Sequence, residues 1–247
     1  MMNRSLADGL FRSLPLGVLV ALAACAPKSE SVQQAEAQAS APVSAAAAED
    51  AVDAPAGAYT LDPAHTSLLF RVDHLGFSRY TARFKKVNAE LQFDPNDLSA
   101  SNVTVTVDAS SVETDFPDPQ VVDFNAELAG EKWLDAGKHP EIVFRSLSVE
   151  PTGARTMRIN GELTLRGVTR PVVLDARLNG GYRSHPFEPN ARIGFSATGV
   201  LKRSEFGISA GIPAPGTKMG VSDEVEVIVE TEFTGPPAAA ASDGESA

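Results

Sequence analysis

Of 247 residues only one, Cys25, is a cysteine, so no intrachain disulfide can hold the fold together. Aromatic side chains make up 6% of the chain, too few for the stacking platform on which single-stranded nucleic acid is bound. Positive charge is also short. With 21 Lys and Arg against 32 Asp and Glu, the formal charge is −11. That balance excludes the basic surface that nucleic acid requires, and it argues against electrostatic adhesion to anionic lipid. No apolar run approaches the ~18 residues of a membrane-spanning helix. Repeats of ~20–50 residues are missing, as is the alternation of strand and long helix that builds a parallel sheet.

What is present divides the chain. Asn3, Arg4 and Arg12 precede the short apolar run Leu14 to Ala24, a pattern that predicts a secretory signal over residues 1–24. Leu22-Ala23-Ala24-Cys25 resembles the bacterial lipobox, which makes Cys25 the expected lipidation site. An ordinary signal cut nearby, leaving a free thiol, is the alternative. Ala26 after the cysteine resembles the outer-membrane form of that signal in Gram-negative bacteria. Residues 25–57 continue as an Ala-, Ser-, Gln- and Pro-rich stretch with no apolar period. Such a composition cannot bury enough surface to offset its ordering entropy, so it reads as a tether spanning about 30 Å. Residues 235–247 read as a loose tail. Between them, residues 58–234 are ample for one domain with a full core.

Within the domain the dominant signal is period two. In Ile159 to Leu178, Ile159, Gly161, Leu163 and Leu165 alternate with Asn160, Glu162, Thr164 and Arg166. The pattern resumes with Val172, Leu174, Ala176 and Leu178 after a connection at Gly167 to Arg170, so this is a hairpin. Tyr59 to Asp62 reads as a short strand ended by Pro63. Thr66 to Leu75, Lys85 to Phe93, Asn102 to Asp108, Glu141 to Val149, Arg192 to Leu201 and Glu224 to Thr234 read as further strands. Phe116 to Ala136 breaks the pattern and predicts one or two short helices, with Pro119 in a first turn and Asp118 as its cap. Eight or nine strands with one helical insert make an all-β, antiparallel fold. Long strands with one continuous apolar face favour a closed barrel of about eight strands over a sandwich. Ala89, Gly161 and Ala176 on the inner face favour hollow space within it.

The chain resembles the YceI-like family of bacterial periplasmic proteins. The resemblance rests on YTLDPAHTSLLFRVDHLGFS (Tyr59 to Ser78), FDP (Phe93 to Pro95) and WLDAGKHPEIVFRS (Trp133 to Ser146). INGELTLRGVTRPVVL (Ile159 to Leu174), LKRSEFGI (Leu201 to Ile208) and VSDEVEV (Val221 to Val227) complete it. It departs from the family at Thr81 to Phe84, where a glycine usually precedes the Arg-Phe pair, and at the proline-bearing Asp115 to Gln120. The resemblance implies a lipocalin-like barrel whose lumen holds an isoprenoid lipid, quinone-like or a polyprenyl amphiphile. It implies a periplasmic protein; with the anchor expected at Cys25 the reading is a lipid-anchored carrier without catalysis or cofactor, and a homodimer is left open.

The residues expected in that pocket are Phe70, Val72, His74, Val105, Phe144 and Leu163 from strand alternation, with Phe124, Leu128 and Trp133 from the insert. Each could equally be ordinary core. His74 shares a face with Phe70 and Val72 and would meet a polar head group or simply bond within the wall. His65 beside Asp62 reads as a turn residue. His139 and His185 each precede a proline in a loop, and no pair of histidines has metal-ligand spacing, so no metal site is expected. Gly207-Ile208-Ser209-Ala210-Gly211 fits the nucleophile-elbow pattern, but the prolines that follow cannot begin the helix an elbow needs. The readings that compete with the carrier are a structural or stress-protective barrel with a filled core, and a haem- or metal-binding variant.

Overall fold

The computed structural model of the chain describes residues 52–237. The expected signal, the lipidation site Cys25, nearly all of the tether and most of the tail lie outside these residues.

The described chain forms ten strands and one α-helix: β1 (Gly57–His74), β2 (Ser78–Phe84), β3 (Val87–Phe93), β4 (Asn102–Asp108), β5 (Val112–Glu113), α1 (Phe124–Ala129), β6 (Glu141–Pro151), β7 (Thr156–Leu165), β8 (Val168–Tyr182), β9 (Asn190–Lys202) and β10 (Val221–Pro237). All pairings between strands are antiparallel. The order β1-β3-β4-β6-β7-β8-β9-β10 closes on itself because β10 returns to β1, and β2 and β5 extend the wall beside β1. The fold is therefore the all-β barrel of eight strands that the alternation predicts, lipocalin-like as the resemblance implies, with two further strands and one short helix.

The β7–β8 hairpin carries its sequence pattern into space. Met157, Ile159, Gly161, Leu163 and Leu165 face inward, and Thr164 bonds Thr169 on the outside, hydroxyl to hydroxyl at 2.8 Å. Its connection is shorter than expected. Leu165 pairs with Val168, leaving a turn of only Arg166 (φ 52°) and Gly167 (φ 72°), the two positive angles of a type I′ hairpin. Pro171 thus lies inside β8, where its missing N–H does no harm: β7 pairs with it on one side, and the β9 ladder starts only at Leu174.

Two expectations change and one strand is added. Pro63 does not end the first strand; β1 runs through it, with a register shift between Asp62 and Ser67 that spares the proline a ladder bond. Ser78–Phe84 is a strand, built on Tyr80, Ala82 and Phe84 alternating with Arg79, Thr81 and Arg83 and paired to the far half of β1. The helix starts at Phe124 rather than near Pro119. Its cap is Asp123, whose carboxylate accepts from the Ala126 amide at 2.9 Å, while the Asp118 carbonyl closes a turn with Val121.

Both ends of the barrel are packed. At the end where β1 begins, Tyr59, Phe93, Phe195 and Phe233 meet edge to face in sequence, with centroids 5.8–6.1 Å apart. We call this the floor. At the other end, the plug, Phe206, Ile208, Ala136 and Leu165 form a second core with Trp133 against it. The buried Arg203 ties that end together: its guanidinium donates to the carbonyls of Ile208, Ala210, Val221 and Ser222 at 2.7–3.1 Å. Its face lies 5.3 Å from the Trp133 ring.

Candidate functional site

Between floor and plug the inward side chains do not meet across the barrel. They leave a cavity of about 120 Å³. Val103 and Val105 of β4, Ile159 of β7, Leu174 of β8, Ala197 of β9 and Val229 of β10 line its middle, and each stays only half-buried because of it. No polar atom is exposed to this space. Thr66 and Thr231 do line it, but the Thr66 hydroxyl donates to the Asp62 carbonyl at 2.8 Å and lies 2.9 Å from the Thr231 hydroxyl. Their oxygens are spent on one another and on backbone.

Small residues make the space, though not all those expected. Ala89 and Ala176 line the cavity. Gly161 does not leave a void: a Cβ there would lie 2.4 Å from the Phe144 ring, which covers the glycine. A closer approach still is at Gly235, where a Cβ would fall 2.1 Å from the Tyr59 ring. Burial pushes the Tyr59 hydroxyl up to about 12, and it donates to the Pro55 carbonyl at 2.8 Å.

Of the residues expected in the pocket, Val105 and Phe144 line the cavity. Leu163 faces inward but belongs to the plug-end core. Phe70 and Val72 lie on the far half of β1, half-buried; the Phe70 ring packs 5.5 Å from Phe84, and Val72 pairs with Tyr80 and Val225. His74 is exposed where β1 ends. Phe124 and Leu128 sit on α1; Phe124 contacts Tyr80 and Phe116 at 6.0 and 5.8 Å, outside the lumen. Trp133 packs on the plug, and its buried indole N–H has no hydrogen-bond partner among the described residues. Leu68, Ile159, Leu174 and Val229 line the cavity without having been singled out. Their alternation was visible in the sequence, but the height of the hollow along each strand was not.

A polar cluster lies on the outside of the β1 bulge. His65 Nδ1 and Arg192 Nη1 approach the same Asp62 oxygen at 2.9 and 2.6 Å, and Arg192 reaches Glu232 at 3.3 Å. The His65 hydrogen bond, then that of Arg192, holds the Asp62 carboxyl well below the usual carboxylate range; the same bond raises His65. Asp62, His65 and Glu232 could in principle converge on a cation, but the Arg192 guanidinium is already the cation between the two carboxylates. A larger concavity, about 300 Å³, lies outside the barrel between the β1–β2 turn and residues 213–222. It is open and lined by Asp73, Arg79, Lys218 and serines, so it lacks the enclosure that an apolar ligand needs. At Ser209 the chain continues as turns through residue 220 rather than as a helix, so the elbow context is missing.

Comparison with known proteins matches a YceI-like domain model to residues 59–233. Protein YceI of Salmonella arizonae is 35% identical over 169 residues, which is 68% of this chain and 81% of that protein. The crystal structure of the Campylobacter jejuni YceI protein superposes with a TM-score of 0.55 at 27% identity, over 66% of this chain and 88% of that one. A domain from Saccharophagus degradans, described as polyisoprenoid binding, shares the fold with a TM-score of 0.50 at 16% identity, over 72% of this chain and 98% of its own.

Proposed function

The chain belongs to the YceI-like domain family, and from that premise we propose that it is a non-catalytic carrier holding the tail of an isoprenoid lipid in its lumen. The observation that carries this reading is the cavity between two packed ends, with no polar atom exposed to it. Such a space suits hydrocarbon and offers nothing to a charged or hydrogen-bonding substrate. The polyisoprenoid binding described for the Saccharophagus degradans domain, on the same fold, points the same way.

Magnitudes favour exchange over permanent capture. A tail of ~40 carbons at ~0.8 kcal/mol per buried CH₂ would gain about 30 kcal/mol from water, beyond the ~20 kcal/mol ceiling of real complexes. The lipid lives in a bilayer, however, and transfer from one apolar place to another is nearly neutral. We further propose residues 1–24 as a signal, Cys25 as a lipidated anchor and the outer membrane as its seat, facing the periplasm. The anchor would keep the barrel close to its lipid source. A Cys25→Ser chain should then move from the membrane fraction to the soluble one.

The size of the cavity supports one competing reading. At about 120 Å³ it stands below the ~300–1,000 Å³ of small-molecule sites, so a structural barrel with a nearly filled core is the alternative. Organic extraction of the purified protein followed by mass spectrometry separates the two. The carrier yields a prenyl lipid in near-equimolar amount; a stripped protein that rebinds none is the filled barrel. A visible absorption band would instead mark a haem protein.

A further inference from the structure

Among the residues that line the cavity only Asn102, at the start of β4, is itself exposed. The wall there is not made of strand. The β4–β6 ladder ends toward the floor at Thr104 opposite Arg145, and the next amide, Val103, donates to the Ser146 hydroxyl at 2.8 Å in place of a β6 carbonyl. Between Ser146 and Ser148 β6 is bulged, and Leu147 turns into solvent. Past the bulge, the edge of β6 that β4 no longer covers is faced by a single 3-10 turn, Leu98–Ala100.

That turn is fastened to itself. The Asp97 carboxylate accepts from the Ser99 amide at 3.0 Å, and the Ser101 hydroxyl accepts from the Asp94 amide at 3.0 Å. The amides of Ala100 and Ser101 donate to the carbonyls of Asp97 and Leu98 at 3.0 and 3.1 Å. Among the described residues no hydrogen bond joins residues 94–101 to β6. What holds the turn against the wall is Leu98, which packs on the floor-end core and lines the cavity.

A second seam in the wall is closed more firmly. The β1–β3 ladder stops at Thr60 opposite Glu90, and the β1–β2 ladder starts at Leu68 opposite Phe84, which leaves the β1 bulge unpaired on that side. The bulge is tied to β9 and β10 instead, by the Asp62–Arg192 pair and the Thr66–Thr231 contact.

Building on the carrier reading, we infer that the lumen is loaded sideways, between β4 and β6, with Leu98–Ala100 as the lid. Lifting the turn breaks the packing of Leu98 and no hydrogen bond to the wall. The tail passes between Asn102 and the β6 bulge. The polar end of the lipid stays outside beside Asn102, because nothing within could satisfy it.

The test uses the full chain and cis-parinaric acid, a polyene chain that fluoresces in apolar surroundings, in stopped-flow loading and release. Leu98→Ala should raise both rates about tenfold, since each ~1.4 kcal/mol of lost lid packing is a factor of ten. Asn102→Trp, at the rim, should slow both, and His65→Trp at the other seam should change neither. Unchanged rates in the first two variants, or slowing by His65→Trp alone, would overturn the assignment. Hydrogen exchange without ligand gives a separate readout. The amides of Ala100 and Ser101 should exchange far faster than those of Val105 and Val107; equal protection would sink the lid whatever binds. Fast lid exchange in a wild-type chain that takes up no probe would support the lid and count against the carrier.

Discussion

Filling the lumen should make this protein more stable and less able to bind. Ala176 is buried on β8, between Met157 of β7 and Ala197 of β9, and its methyl faces the cavity. Ala176→Leu adds three carbons to a space that is empty of side chains. At ~0.8 kcal/mol per carbon buried the gross gain is about 2.4 kcal/mol, and fixing the leucine rotamer costs about 0.5–1 kcal/mol. The net is about 1.5 kcal/mol, or roughly 3–6 °C in Tm for a domain of this size. Calorimetry of the ligand-free protein measures the first effect and titration with a prenyl alcohol the second. Affinity should fall at least tenfold. A variant that melts lower, as overpacked cores do, would mean that the hollow is not there to be filled. A variant of raised stability with unchanged affinity would place the ligand elsewhere.

Other substitutions read the remaining parts of the wall. Gly235→Ala drives a methyl into the ring of Tyr59, which is 1% exposed and cannot retreat, so Tm should fall by the equivalent of about 1–3 kcal/mol. Leu163→Arg puts a charge on the inner face and should cost several kcal/mol in urea denaturation, while Thr164→Lys, one residue on and outward, should stay within about 0.5 kcal/mol of wild type. The Asp62–His65–Arg192 cluster should give a stability that falls away on both sides. Asp62 has a depressed pKa, so its contribution is present above the ordinary carboxylate value and lost as pH falls. His65 has a raised one, so its contribution is full below the ordinary imidazole value and lost as pH rises through the raised value. The Tm difference between wild type and His65→Ala should therefore be largest between about pH 4 and 6.5. A difference that stays the same from about pH 2 to 9, or is largest at pH 9, would contradict the assigned pairing.

The barrel was legible because alternation is a local property. Val103, Val105 and Val107 declare the inner face of β4 without reference to any other strand, and the same holds for β7 and β10. Closure was legible only in part. Pro63 reads as a stop, because nothing local says that β1 bulges there and gives up its ladder partner. The helix start was misplaced for a related reason: Asp118 and Asp123 are equally good caps, and only packing on Tyr80 selects the turn that Phe124 opens.

The pocket was less legible than the wall. Alternation says which residues face inward but not how far across the barrel their partners sit. Gly161 looks like empty space and is covered by Phe144, a diagonal contact that depends on register. Trp133, Phe124 and Leu128 look like tunnel lining because the insert is amphipathic, yet the apolar face of that segment covers the plug end and the β2 edge. The lid could not be read at all. It arises where β4 is shorter than β6, a difference in strand length that only the pairing reveals.

The central claim is that a lipid tail lies inside the barrel, and photo-crosslinking addresses it most directly. A prenyl alcohol carrying a diazirine in mid-chain is loaded into the protein and irradiated, and the labelled peptides are mapped by mass spectrometry. Adducts are expected on inward residues of facing strands, Val105 on β4 with Ile159 on β7, Leu174 on β8 and Val229 on β10, all lost in Ala176→Leu. Adducts confined to outward positions such as Leu147, Val173 or Phe187, and indifferent to that substitution, would contradict the claim.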